Sequence, residues 1–130
     1  MILLTGANGF IGSCLLKYLN QKGLSDILIT DYVEPSERSE LLQGAKYLEF
    51  VSAGVLLSRL DRYEFSAVLH IGACSSTVET NWDYLKEVNL DYSKALFDHC
   101  TSRKIPFLYA SSAAVYGDGK QGFEDNVATR

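Results

Sequence analysis

Three glycines, Gly6, Gly9 and Gly12, recur at every third position in Thr5-Gly6-Ala7-Asn8-Gly9-Phe10-Ile11-Gly12. Glycine serves where a chain must turn sharply or admit another group against its backbone. In this spacing Gly6 allows the turn, Gly9 leaves room for a pyrophosphate, and Gly12 lets a helix pack closely on a strand. Phe10 opens a stretch of helical period, so free N–H groups and a positive dipole end face the same spot. The chemistry indicated is non-covalent capture of a dinucleotide. No Lys-Ser or Lys-Thr follows the last glycine, which excludes a P-loop. The alternative is a turn that only joins strand to helix. Asp31 lies 31 − 12 = 19 residues beyond Gly12, where a ribose-binding carboxylate is expected. Its alternative is a strand-end carboxylate capping the next turn. Further on, Gly72-Ala73-Cys74-Ser75-Ser76-Thr77 and Ser111-Ser112 offer small and hydroxyl-bearing side chains.

These residues need elements to hold them. Met1 to Thr5 reads as a buried strand, followed by a helix with Ile11, Leu15, Leu16 and Leu19 on one face and Gly23 at its end. Asp26 to Asp31 is nearly all apolar, as a strand covered on both faces should be. Tyr32 to Gly44 is polar and reads as a loop with a short helix near Arg38. Tyr47 to Val51 predicts a third strand, and Val55 to Leu60 a short helix with Leu56, Leu57 and Leu60 inward. Ala67 to Ile71 predicts a fourth strand. Asn81 caps a long helix towards Arg103 whose buried stripe is Trp82, Leu85, Val88, Tyr92, Leu96 and Cys100. Phe107 to Ala110 predicts a fifth strand. Alternating strands and helices mean an α/β fold with right-handed crossovers and a parallel sheet. In such a sheet the Gly6 turn, Asp31, the Gly72–Thr77 loop and Ser111-Ser112 all fall at carboxyl ends of strands, where ligands bind.

The chain has 130 residues, enough for one domain with its own core. A hydrophobic share of 47% and a charged share of 22% fit an ordinary globular domain. The net charge of −4 gives no basic footprint for nucleic acid or an anionic membrane. No apolar run reaches spanning length, and the chain enters a strand without a signal-peptide pattern. Cys14, Cys74 and Cys100 are odd in number, widely spaced and in apolar settings. That usage suggests reduced thiols and a cytoplasmic location. No Cys/His cluster has metal spacing, so no metal is expected.

Together these pieces resemble the extended short-chain dehydrogenase/reductase family. Its marks are Thr-Gly-x-x-Gly-Phe-Ile-Gly at residues 5–12 and Ser-Ser-Ala-x-Val-Tyr-Gly at residues 111–117. Within that family, His70-Ile71-Gly72-Ala73-Cys74-Ser75-Ser76-Thr77 and Ile105 to Ala114 are similar to the ADP-L-glycero-D-manno-heptose 6-epimerases. Tyr32 to Tyr63 matches poorly. The resemblance implies a Rossmann-type doubly wound parallel sheet in three layers. It implies NADP as cofactor, with NAD possible because of Asp31, and a homo-oligomer. The implied reaction inverts one carbinol centre of a nucleotide-linked sugar by removing a hydride and returning it to the other face. By the same resemblance Phe10 and Ile11 border the pyrophosphate. Gly72, Ala73, Cys74 and Ser75 line the ribose and nicotinamide side. Asn89 supports the cofactor site, the alternative being an asparagine bonded only to neighbouring backbone. After the acid the family carries a polar residue and then a base. Here those positions hold Tyr32, which cannot supply an amide, and Arg38, whose planar fork suits a 2′-phosphate. Cys74 has no base beside it and is not read as a nucleophile. His70 reads as a satisfied strand-end histidine and His99 as a solvent-facing helix residue.

Ser112 is the catalytic candidate. In this chemistry a serine hydroxyl bonds the reacting oxygen, a tyrosinate removes its proton, and a lysine one helical turn on lowers the tyrosine pKa. Two Tyr-x-x-x-Lys spacings occur, and neither suits. Tyr116 to Lys120 encloses two glycines and an aspartate, which will not hold a helical turn. Tyr18 to Lys22 ends its helix at the wrong edge of the sheet. The expected pair therefore lies beyond Arg130, and residues 1–130 read as the NAD(P)-binding domain of a longer enzyme, inactive alone. A sugar-nucleotide dehydratase or reductase of the same superfamily, and a non-catalytic dinucleotide-binding module, remain as alternatives.

Overall fold

A computed structural model describes residues 1–120 and 122–124, the side chains of residues 37–39 excepted. Among the described residues five strands form one sheet: β1 (Ile2–Thr5), β2 (Ile27–Asp31), β3 (Glu49–Ser52), β4 (Ala67–His70) and β5 (Phe107–Tyr109). Their order is β3-β2-β1-β4-β5 and every pair is parallel. The chain moves outward from β1 to β2 and β3, then crosses back to lay β4 on β1's other side. That reversal opens a crevice at the carboxyl ends of β1 and β4. The fold is a Rossmann-type doubly wound sheet.

Alternation along the strands sorts side chains into two cores. Leu4, Ile27 and Ile29 face α1 (Phe10–Gln21) and α2 (Ser39–Leu42), which bring Leu16 and Leu42. Leu3, Leu28 and Val68 face α3 (Ala53–Leu56) and, after the short turn α4 (Trp82–Leu85), α5 (Tyr92–Arg103). These helices bring Leu56, Tyr92, Leu96 and Cys100. Helix, sheet and helix make three layers. Gly23, at φ +83°, ends α1 in the left-handed conformation, and Leu24 N–H returns to Leu19 C=O at 3.0 Å.

The long helix after Asn81 differs from the expected one. Asn81 Oδ1 does cap it, accepting from Tyr84 N–H at 3.1 Å. Between α4 and α5, however, residues Lys86–Asp91 form a π-helical turn. That wider turn rotates the residues before it off the face on which Val88, Tyr92, Leu96 and Cys100 are buried. Trp82 is consequently 71% exposed and not part of the stripe. Leu57 also points out, 37% exposed, while Leu56 and Leu60 are buried; it stands where α3 passes into the 3-10 turn Leu57–Arg62. Ile11 is 64% exposed, since the first turn of α1 overhangs the crevice rather than the core. His99 is not solvent-facing: its side chain is mostly buried, with Nδ1 3.7 Å from Asp61. No helix of the described residues is long and apolar enough to cross a membrane.

Candidate functional site

The crevice is a cleft of about 580 Å³, within the size range of small-molecule sites. Its floor is made by backbone. Gly6, at φ +68°, turns the chain off β1 directly against Gly72, which leaves β4. A Cβ on Gly12 would run into the Gly6 carbonyl oxygen, so helix α1 can approach the turn only with glycine there. Gly9 differs. It sits at φ −90°, ψ 172°, which any residue adopts. A Cβ on it would meet only Gly6 O at 3.3 Å, so its bareness matters for what occupies the cleft.

Asp31 ends β2 at the cleft wall. Its Oδ2 accepts from Asn8 N–H at 3.0 Å and its Oδ1 from Val33 N–H at 3.2 Å. It therefore caps its own turn and holds the glycine turn as well. A carboxylate has about four lone-pair positions, so roughly two remain for ribose hydroxyls. Asn8 completes the joint: fully buried, it donates through Nδ2 to Val33 O at 3.1 Å and Glu34 O at 3.0 Å. Sequence reasoning passed over Asn8; its signal was an amide set inside a glycine turn, where buried polar groups must find partners.

The opposite wall is the loop after β4. Gly72, Ala73, Cys74, Ser75 and Ser76 line the cleft there. Asn89, on the π turn, grips this loop at both polar atoms of one residue. Its Oδ1 accepts from Cys74 N–H at 2.7 Å and its Nδ2 donates to Cys74 O at 3.0 Å. Asn89 thus bonds backbone fifteen residues away rather than its own neighbours. Tyr32, Tyr84, Val33, Ala53 and Val88 give the cleft an apolar end beyond Asp31. Burial, then Glu87, then Tyr84 raise the Tyr32 pKa, so its phenol stays neutral.

The cleft brings together Gly6, Gly9, Phe10, Ile11, Gly12, Asp31, Tyr32, Gly72, Ala73, Cys74 and Ser75. Asn89 stands behind it. Arg38 closes the turn Pro35–Arg38, and its side chain lies outside the described residues. Ser112 is exposed, lies outside the cleft lining, and its Oγ accepts from Ala114 N–H at 3.2 Å. Among the described residues neither tyrosine–lysine spacing reaches the cleft. Gly117 and Gly119, at φ +58° and +75°, break the stretch from Tyr116 to Lys120, and Lys120 pairs with Asp118 at 2.6 Å. Lys22 instead lies over its own Tyr18 ring, 5.3 Å from the centroid, at the far end of α1. Cys100 is buried, and burial raises its thiol pKa, so it is inert. No group of three or more His, Cys, Asp or Glu residues among the described residues could hold a metal ion.

Comparison with known proteins agrees with this geometry. ADP-L-glycero-D-manno-heptose-6-epimerase of Nitratidesulfovibrio vulgaris (strain DP4) is 39% identical over 133 residues, covering 99% of this chain and 41% of the relative. The protein of the same description from Brachyspira hyodysenteriae is 37% identical, covering 97% of this chain and 41% of the relative. The chain thus spans about two fifths of the length of these curated relatives. Among solved structures, UDP-glucuronic acid 4-epimerase from Bacillus cereus in complex with NAD superposes with a TM-score of 0.71 at 25% identity, covering 90% of this chain and 41% of that one. A short-chain dehydrogenase/reductase superfamily protein from Agrobacterium tumefaciens with bound NAD gives 0.70 at 26%, covering 92% and 35%. A family-level comparison matches residues 2–130, and with the glycine turn, the strand-end acid and the doubly wound sheet in place, the chain belongs to the NAD dependent epimerase/dehydratase family.

Proposed function

We propose that this chain is the dinucleotide-binding domain of an epimerase acting on a nucleotide-linked sugar, of the ADP-glycero-manno-heptose 6-epimerase kind. The observation that carries the reading is the bare backbone floor at Gly6, Gly9 and Gly72 beside the Asp31 carboxylate. The residues present fit a nicotinamide dinucleotide. The N-terminus of α1 and the glycine turn receive its pyrophosphate. Asp31 accepts from ribose hydroxyls with the lone pairs Asn8 and Val33 leave free. The loop held by Asn89 borders the nicotinamide side. When bound, the cofactor supplies the hydride acceptor and donor that an epimerisation without net oxidation needs. The chain's own part is to bind it, orient it and keep one face open towards the sugar.

Ser112 is assigned to the reacting oxygen. In the unliganded chain it caps the turn Ala113–Tyr116, and that bond leaves its own proton free to donate. The tyrosine and lysine that complete proton transfer lie outside residues 1–130 in this reading. Cofactor choice follows from opposed charges: Asp31 repels a 2′-phosphate, and Arg38 attracts one. The outcome is a modest preference for NADP with NAD still bound. Location is cytoplasmic and the assembly a homo-oligomer.

Two measurements test the reading. Calorimetric titration should show NADP and NAD binding, and absence of both would end it. In the intact enzyme, Ser112→Ala should lower kcat for an ADP-linked heptose by roughly 10²-fold or more, the scale of a lost proton-transfer or oxyanion partner, and Ser111→Ala far less. Equal losses at both serines would move the assignment.

A further inference from the structure

His70 ends β4 and is 2% exposed, yet no step of the reading above uses it. Its ring is bonded at both nitrogens. Nδ1 lies 2.6 Å from Thr5 Oγ1 and Nε2 lies 2.7 Å from Ser93 Oγ. The partners let the protons be assigned. Ser93 Oγ gives its one proton to the Asn89 carbonyl oxygen at 2.7 Å, a group that can only accept. Ser93 therefore accepts from His70, and the ring proton sits on Nε2. Nδ1 keeps its lone pair and accepts from the Thr5 hydroxyl. Thr5 Oγ1 in turn accepts from Gly72 N–H at 3.0 Å. Donation runs in one direction, from Gly72 through Thr5, His70 and Ser93 to Asn89, so each bond polarises the next. A doubly protonated ring would present two donors and strand the Thr5 proton. Burial pushes the His70 pKa down to about 4, which keeps the ring neutral.

Both ends of this relay are tied to one loop. Gly72 lies in the loop after β4, two residues past His70. Asn89, where the relay stops, grips Cys74 two residues further on by Cys74 N–H and C=O. The relay and the grip together form a closed ring of bonds around Gly72, Ala73 and Cys74, three of the residues lining the cleft. Packing alone does not require a histidine here. The ring stacks on Tyr109 at 6.0 Å, and Tyr92 and Phe107 lie at the same centroid distance, so an aromatic hydrocarbon would fill the space.

We propose that His70 is a positioning residue: its neutral, Nε2-protonated imidazole closes this ring and fixes the Gly72–Cys74 loop in the shape that receives the dinucleotide. The last clause rests on the dinucleotide reading; the loop-holding part does not.

The test compares the parent with His70→Phe, which keeps a flat aromatic ring, somewhat larger, but offers neither nitrogen, with Ser93→Ala, which leaves the imidazole in place, and with His70→Gln, which restores one donor and one acceptor. In the parent, imidazole ¹⁵N shifts should report the Nε2–H tautomer. In the unliganded protein, amide exchange at Gly72 and Cys74 should quicken at least roughly tenfold in His70→Phe and Ser93→Ala, local opening being the readout. The dissociation constants of NADP and NAD should rise by about tenfold in both, the scale of one lost buried bond, and partly recover in His70→Gln. An Nδ1–H tautomer, or exchange at Gly72 and Cys74 unchanged in both variants, overturns the proposal. Faster exchange with unchanged cofactor affinity overturns its functional clause alone. A parent that binds neither cofactor overturns that clause together with the dinucleotide reading, while the exchange measurement still decides the ring. If His70→Phe does not fold, Ser93→Ala and the tautomer decide.

Discussion

Gly6 and Gly72 meet backbone to backbone across the β1–β4 pair: a Cβ on Gly6 would stand 2.6 Å from Gly72 Cα, and one on Gly72 would stand 2.9 Å from Gly6 N. The crevice floor is thin because neither residue carries a side chain. This contact joins the two strands at which the sheet reverses direction. It places the glycine turn and the Gly72–Ser75 loop in one structural unit.

Gly72→Ala should therefore lower stability by about 1–3 kcal/mol, the usual cost of forcing an extra methyl group into a filled space. Gly6→Ala should cost more, because φ +68° adds a left-handed penalty of about 1–2 kcal/mol. Denaturant midpoints of both variants measure this. An unchanged midpoint for Gly72→Ala would mean the two backbones do not touch in solution.

Gly9 and Gly12 should part company. Gly9→Val is expected to stay folded and to lose dinucleotide binding, since its side chain would stand where the pyrophosphate goes. Gly12→Ala is expected to lose stability outright, because its Cβ meets the Gly6 carbonyl. Circular dichroism and calorimetry on the pair separate the two outcomes. Intact affinity in a folded Gly9→Val would remove the pyrophosphate from this turn.

Acid should destabilise the protein through His70. Its folded pKa, about 4, lies below the unfolded value of about 6.5. The native state thus binds fewer protons, and the contribution is complete above pH 6.5. It is lost as pH falls from there towards 4, at no more than about 1.4 kcal/mol for each pH unit. His99, lowered by burial and by Arg103 against the pull of Asp61, acts in the same direction. Unfolding free energies of the parent and of His70→Gln across pH 4 to 7 isolate the share of His70. The variant's curve should be the flatter one.

Arg38→Ala should shift the ratio of NADP to NAD affinity towards NAD by about ten- to a hundredfold, the worth of one charge-assisted contact. Dissociation constants of both cofactors for parent and variant measure it. If the ratio does not move, Arg38 is an ordinary surface residue and Asp31 alone sets the choice.

What could be read from the chain alone was what local chemistry dictates. The glycine spacing, the carboxylate nineteen residues on, the Asn81 cap and the Gly23 stop each depend on residues within a few positions, or on a count along the sequence. The apolar strands and their alternation with helices sufficed for an α/β fold with a parallel sheet, and the doubly wound three-layer arrangement was what the family resemblance implied. Tertiary structure decided the partners of buried polar groups. Thr5 meets His70 across sixty-five positions, and Asp31 meets the Asn8 backbone across twenty-three, because a parallel sheet makes neighbours of strands far apart in sequence. The π turn decided the exposure of Trp82, which a regular helical period placed inside. The same turn carries Asn89, which grips Cys74. Periodicity reports which face is apolar. The partner that satisfies a buried hydroxyl, amide or imidazole is set only when the strands have packed.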